Sequence, residues 1–232
     1  MLVSPALSEP PGTPGLRPLL RALPVFAGET PGFATAAAPA GPVGLFAAWL
    51  REAVEAGEPE PHAMTLATVD ADGYPSARVL ILKDVLPEAA GWQFAVQAGS
   101  PKGRDLAHRP YAALTFHWKA LARQVRLRGP VTAEDAESAA ADFRARGLPA
   151  RAAASLGRQS TPLTDPAARE RELTAARERL ARDPDAVPPE WTLYTLRAER
   201  VEFWQGRRDR DHVRLAYDRD GAAGWKRGRL WP

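Results

Sequence analysis

Ser76-Ala-Arg-Val-Leu-Ile-Leu-Lys83 is the stretch on which the fold class turns. Arg78, Leu80 and Leu82 fall on one parity, and Val79, Ile81 and Lys83 on the other. That is the period of a strand, not of a helix. Just before it, residues 63–69 form a short apolar run closed by Asp70-Ala-Asp-Gly73, a hairpin-type turn whose glycine accepts a positive φ. Toward the C-terminus the pattern repeats. Trp92, Phe94 and Val96 alternate, and so do Leu114, Phe116 and Trp118 within 112–118. In 124–129, Val125 and Leu127 turn inward and Gln124, Arg126 and Arg128 outward. Further strands are predicted at about 191–197, 200–205, 212–218 and 224–230. Helices interrupt them: a short one opened by Ser100-Pro101, one capped by Thr132 over about 133–145, and one opened by Asp165-Pro166 with a Leu173, Ala176, Leu180 stripe. Many short strands with helices in the middle predict a mainly β fold with helical insertions, a closed or nearly closed antiparallel barrel.

Upstream, residues 43–57 read as a helix with a stripe of Leu45, Phe46, Trp49, Leu50 and Val54. Residues 1–42, rich in Pro, Ala and Gly, read as a mostly extended or disordered arm whose Leu19-Leu20 and Val25-Phe26 could dock on the body. The domain reading is therefore an arm over 1–42 and one folded unit over 43–232.

Composition narrows the function. The 232 residues are 45 % hydrophobic and 25 % charged, with a net charge of +3, which is ordinary globular composition. No apolar run reaches the roughly 18–20 residues of a spanning helix, and the start lacks the layout of a secretory signal. A cytoplasmic location is expected. The absence of Cys excludes disulfides, thiolate metal sites and cysteine nucleophiles. Of the 31 basic residues only Lys83, Lys102, Lys119 and Lys226 are lysines. Arginine is spread along the whole chain rather than clustered with aromatics, so no nucleic-acid partner is expected. Dinucleotide and P-loop glycine patterns and the G-x-S-x-G nucleophile elbow are missing, and the four His lack metal-ligand spacing. No metal site is expected.

Four segments go further: Arg78-Val-Leu-Ile-Leu-Lys83, Gly99-Ser-Pro-Lys102, Arg123-Gln-Val125 and Phe203-Trp-Gln-Gly206. With Arg158-Gln-Ser160 and Trp225…Arg229-Leu-Trp-Pro232, their order and spacing resemble the pyridoxamine 5′-phosphate oxidase family. The likeness runs from about residue 43 to the end. The flavin-oxidase branch of phenazine biosynthesis is also similar, including the Tyr217-Asp-Arg-Asp220…Trp225-Lys226 ending. The resemblance implies an FMN-binding split β-barrel that works as a homodimer, with FMN between the subunits.

Carried over by position, it implies cofactor contacts from Arg78, Val79, Leu80, Ile81, Leu82, Lys83, Lys102, Gln124, Gln159, Ser160, Trp204 and Arg214. It implies substrate contacts from Lys83, Arg146, Arg210 and His212, with Arg210 and His212 as the catalytic pair at i and i+2 of one strand face. The residue types suit a phosphate dianion and a flavin ring: Arg and Lys supply charge-assisted donors, Gln amides both donate and accept, and Trp packs on a ring. On the residues alone, Arg78 and Lys83 read equally well as solvent-facing strand ends. Trp204 reads as a core or interface aromatic, His212 as a half-exposed strand histidine, and Gln159-Ser160 as a helix-end cap.

The implied activity is an FMN-dependent oxidase: hydride passes from a small-molecule substrate to FMN, and O₂ restores the flavin with release of H₂O₂. A vitamin B6 phosphate is one implied substrate and a dihydrophenazine-like metabolite the other. A non-catalytic flavin-binding protein is the alternative from another class. The chain departs from the family at Ala95-Val96, at Pro101, and at Asp142 and Ala150, where the family has a Tyr and a Ser that bind substrate phosphate. An Asp142 facing that phosphate would repel it.

Overall fold

The computed structural model describes residues 15–26, 30–221 and 224–232; the first fourteen residues, including the start read against a secretory signal, lie outside them. The Asp70 turn forms as expected. Its carboxylate accepts from the amides of Asp72 (3.0 Å) and Tyr74 (2.8 Å), and Gly73 takes φ +93°. Strands β1 (Ala63–Val69) and β2 (Pro75–Ile81) therefore pair antiparallel, with Leu66 opposite Arg78. Leu82 is buried while Val79 is 66 % exposed, so the parity read in 76–83 holds.

The other strands are β3 (Asp84–Leu86), β4 (Gly91–Gln97), β5 (Tyr111–Trp118), β6 (Arg123–Ala133), β7 (Trp191–Arg197), β8 (Arg200–Gln205), β9 (Val213–Arg219) and β10 (Trp225–Leu230). The order β10-β9-β8-β6-β5-β1-β2 makes one layer, and β7, β4 and β3 lead off from β6. Strand β6 is long enough to serve both. Residues 123–128 pair β8, and residues 131–133 pair β7. The Lys83 amide donates to the Gln93 carbonyl at 2.8 Å, tying the exit of β2 to β4. The result is an antiparallel split barrel.

Helix α2 (Pro42–Glu55) packs on the barrel and buries Leu45, Phe46, Trp49 and Ala53. Phe46 meets Trp92, Phe116 and Trp118 at ring distances of 5.5, 4.9 and 6.0 Å. Burying each such ring contributes about 1.5–3 kcal/mol, and each aromatic pair roughly a further 0.5–1.5. Val54, placed in the stripe by sequence, is 59 % exposed; Ala53, at the 3.6-residue spacing from Trp49, is buried instead.

A second core lies between α4 (Ala136–Arg144), α5 (Leu148–Ala154), α6 (Pro166–Arg182) and β7. It holds Phe143, Ala152, Leu173, Ala176, Leu180 and Trp191. Thr132 does not cap α4, because β6 runs through it. Asp135 does, accepting from the Ser138 amide at 2.7 Å. Helix α5 and strand β3 are short and were not anticipated.

The arm is not uniformly extended. Helix α1 (Arg17–Ala22) forms with Leu19 and Leu20 exposed. Phe33 stacks edge-on to Trp49 at 4.9 Å, Ala38 is buried, and Tyr217 Oη donates to the Pro39 carbonyl at 2.9 Å. Phe33 and Ala38 of the arm thus pack with the main core, beside α2.

Candidate active site

Two clusters gather the residues singled out by sequence. The first forms where β2, β4 and α3 (Pro101–His108) converge. Ser100 caps α3, accepting from the Gly103 amide at 3.3 Å and donating to the Gln97 carbonyl at 2.7 Å. A side chain at Gly103 would collide with the Ala98 carbonyl, so only glycine lets the helix start this close to β4. That closeness buries Lys102, which is 5 % exposed. Its ammonium donates to Gln159 Oε1 at 2.6 Å and Ser100 Oγ at 3.3 Å. Among the described residues no carboxylate lies within ion-pair distance of it. Burial, and Arg78 nearby, push Lys102 below the ordinary lysine pKa.

Arg78 Nη1 donates to Thr68 Oγ1 at 2.6 Å and Nη2 to Ser76 Oγ at 2.8 Å. Thr68 Oγ1 donates in turn to Asp105 Oδ2 at 2.6 Å, and that oxygen lies 3.9 Å from Arg78 Nη2.

A cavity of about 620 Å³ opens beside this pair, lined by Leu80, Gln97, Lys102, Arg146, Gln159 and Trp191 among others. Gln97 Oε1 and Arg146 Nε are buried there without hydrogen-bond partners. Arg146 lies over the Trp191 ring at 4.3 Å. A buried ammonium without a carboxylate partner and orphaned polar atoms around one cavity fit an anionic ligand with several polar edges. Ala150 also lines the cavity. Asp142 is not among the lining residues, although its charge acts on Arg146, which is. Its Oδ1 pairs with Lys83 at 3.1 Å and its Oδ2 accepts from Trp191 Nε1 at 2.9 Å. Lys83 is thereby compensated from within the chain.

The second cluster lies on one face of the other layer. Gln124, Trp204 and Arg214 sit in register across β6, β8 and β9. Glu202, 5 % exposed, accepts from Arg126 at 2.7 Å and from Arg214 Nε at 3.0 Å. Burial raises the Glu202 pKa, but these hydrogen bonds outweigh it and hold the carboxyl below its ordinary range. Trp204 meets His212 at 4.8 Å, and Phe26 of the arm lies against both, at 5.8 and 5.7 Å. A side chain on Gly206 would come within 2.9 Å of the Phe26 and Trp204 rings.

Arg210 and His212 do not share a strand face. Both precede β9, in a turn where Arg210 takes φ +67°. His212 Nδ1 accepts from the Arg207 amide at 3.1 Å, and Arg210 lies over the Phe26 ring at 5.8 Å. Ser160, also at positive φ (+66°), is exposed beside Gln159; Val79 and Ile81 are exposed on the edge strand β2, and Leu82 is in the core. Among the described residues, no hydrogen bond, ion pair or ring contact joins Arg78, Lys102 or Arg146 to Gln124, Trp204 or Arg214. Thr68, Asp105 and Glu202 lie outside the residues read from sequence, whereas Phe26, read there as a docking spot of the arm, does pack on Trp204 and His212. A signal existed for two of the first three: Thr68 lies between Ala67 and Val69, and Glu202 between Val201 and Phe203, each a polar residue flanked by apolar ones within a strand.

Split barrel and site together define a β-barrel protein with a basic, polar-lined cavity suited to an anionic ligand. The comparisons with known proteins make this specific. Residues 50–205 match the family described as pyridoxamine 5′-phosphate oxidase, and residues 191–232 its pyridoxine 5′-phosphate oxidase C-terminal dimerisation region. A pyridoxine/pyridoxamine 5′-phosphate oxidase of Bordetella pertussis is 45 % identical over 197 residues, 84 % of this chain and 91 % of that one. One of Pseudomonas paraeruginosa is 43 % identical over 204 residues, 87 % and 93 % of the two chains. Among solved structures, PhzG from Burkholderia lata in complex with tetrahydrophenazine-1-carboxylic acid superposes with a TM-score of 0.79 at 30 % identity, covering 88 % of this chain and all of that one. The chain belongs to the pyridoxamine 5′-phosphate oxidase family and is an oxidoreductase of that type. The dimerisation region supports a homodimer. No helix among the described residues is long and apolar enough to cross a membrane.

Proposed function

We propose that the protein is an FMN-dependent oxidase working as a cytoplasmic homodimer on a small aromatic substrate. The observation that carries this is Lys102, a buried ammonium with no carboxylate partner, beside Arg78 on a cavity. These two cations would take the cofactor phosphate, with Gln159 and Ser160 closing over it. Gln124, Trp204 and Arg214 would face the flavin from the second cluster. That the two clusters do not touch within one chain supports a site completed across the dimer. When bound, FMN would supply the hydride-accepting chemistry, with O₂ as the terminal oxidant and H₂O₂ as the product. The chain's own groups bind and orient. Arg146 and Lys83 hold the substrate at one end; Arg210 and His212 hold the reacting end, with His212 Nε2 positioned to donate or take a proton. The arm before Pro42 covers the site through Phe26, and residues 43–232 form the FMN-binding unit. The purified protein should be yellow and release FMN, not FAD, on denaturation, identified by chromatography. A colourless protein that also fails to take up added FMN would overturn the proposal.

The vitamin B6 phosphates are the first substrate reading, supported by the names of the relatives. A dihydrophenazine-like substrate is the second, favoured by the Lys83–Asp142 pair. Two charges about 4 Å apart interact by about 4 kcal/mol at an effective dielectric of about 20, so a lysine held by Asp142 has little attraction left for a phosphate. Asp142→Tyr with Ala150→Ser should then raise kcat/KM for pyridoxine 5′-phosphate roughly tenfold, which needs only about 1.4 kcal/mol. Adding Arg146→Ala should abolish the gain. Steady-state kinetics with both substrate classes decides between them: efficient oxidation of pyridoxine 5′-phosphate by the unaltered protein leaves the first reading standing alone.

A further inference from the structure

Thr68 is 2 % exposed on the inward face of β1, where its same-face neighbours Met64 and Leu66 are also buried. A valine has the same shape and no hydroxyl to desolvate, so packing by itself favours valine there. Asp105 is 8 % exposed on α3, one turn after Lys102. Burying a hydroxyl and a carboxylate costs free energy that the barrel could avoid.

What the two groups do is visible in their hydrogen bonds. Asp105 Oδ2 accepts a hydrogen bond from the Thr68 hydroxyl at 2.6 Å. That turns a Thr68 lone pair toward Arg78 Nη1, also at 2.6 Å. Arg78 is thus held by a side chain whose own rotor is locked, and the lock comes from the helix that carries Lys102.

We infer that Thr68 and Asp105 are positioning residues: they act as a relay from α3 to β2 that fixes the Arg78 guanidinium relative to the Lys102 ammonium, and so set the preference of the cavity for a phosphorylated flavin over an unphosphorylated one. This rests on the proposed role of Arg78 and Lys102 as the phosphate site. A guanidinium held in one rotamer loses less entropy when the anion arrives, and the gain applies only to ligands that carry the anion.

The test is equilibrium titration of the full chain, freed of flavin, with FMN and with riboflavin, followed by flavin fluorescence. Thr68→Val should weaken FMN about tenfold and leave riboflavin within twofold. Thr68→Ser, which restores the hydroxyl, should recover FMN affinity. Asp105→Ala should repeat the loss, and the double variant should lose less than the sum of the two single losses, because Asp105 acts on Arg78 through Thr68 as well as directly at 3.9 Å. Equal losses for FMN and riboflavin, or additive losses in the double variant, would mean a merely structural role and overturn the inference. A selective wild type whose selectivity survives Thr68→Val overturns it as well. A wild type that binds riboflavin as tightly as FMN overturns the phosphate reading itself, and the inference falls with it.

Discussion

Lys102→Met should cost about 100-fold in FMN affinity and at the same time raise the melting temperature of the flavin-free protein. The two effects have one cause. The ammonium is buried, its partners are the neutral Gln159 and Ser100 side chains, and Arg78 repels it. Without ligand, folding desolvates a charge that no carboxylate compensates. With FMN bound, that same charge meets a phosphate. A hydrogen bond to a charged group contributes roughly 1.5–3 kcal/mol, and about 2.7 kcal/mol corresponds to 100-fold. Methionine fills the same volume without the charge. A gain of about 1 kcal/mol would lift Tm by roughly 2–4 °C at this chain length.

The pH dependence follows with a definite sign. The folded-state pKa of Lys102 is lowered, so between that lowered value and the ordinary lysine value the unfolded chain binds more protons than the folded one. Stability of the flavin-free wild type should therefore rise with pH through that window, and the Lys102→Met profile should be flatter. Calorimetry and FMN titration check both. A variant that keeps FMN affinity, or that melts lower than wild type without flavin, would contradict the assignment of Lys102.

Arg210 and His212 should matter for turnover and not for cofactor content. Arg210→Gly and His212→Ala should each lower kcat/KM about 100-fold, at the lower end of what positioned acid–base or charge-stabilising groups contribute. FMN occupancy should stay at wild-type level. The backbone gives the Arg210 variant a second readout. Arginine at φ +67° occupies the left-handed region, at a cost of roughly 1–2 kcal/mol, which glycine does not incur. Arg210→Gly should thus leave Tm unchanged or higher while activity falls. Strain retained at a residue that stability would replace is the signature of a functional constraint. His212 is oriented differently, by the Arg207 amide on Nδ1. That contact assigns the ring hydrogen to Nε2. Loss of FMN in either variant would show that the turn supports the cofactor rather than the substrate.

The sequence was most legible where one local rule decides the outcome. Parity in 76–83 placed Leu80 and Leu82 inward. Asp70 with Gly73 closed the first hairpin, and Ser100-Pro101 and Asp165-Pro166 opened the helices they were expected to open. The order of short motifs carried the family. Errors fell where two local signals compete. Thr132 is a good cap, but β6 needed it as its next strand residue, and Asp135 three residues later capped equally well. Arg210 and His212 have strand spacing, but the turn at 208–210 takes precedence, so alternation was the wrong rule for them.

By itself, then, the sequence determined the alternating strands, the caps and turns that separate them, and the set of cationic and amide side chains suited to a phosphorylated flavin. These follow from nearest-neighbour geometry and residue chemistry, which are local. Only the tertiary structure decided which carboxylate each cation answers to. Asp105 reaches Arg78 through Thr68, Glu202 takes both Arg126 and Arg214, and Asp142 takes Lys83, while Lys102 is left with none. Such pairings join residues from 12 to 76 positions apart. They depend on which strands become neighbours and how deeply each group is buried. Charge count and periodicity carry no information about either, because attraction between charges is set by distance and local dielectric, and both are made only when the chain folds.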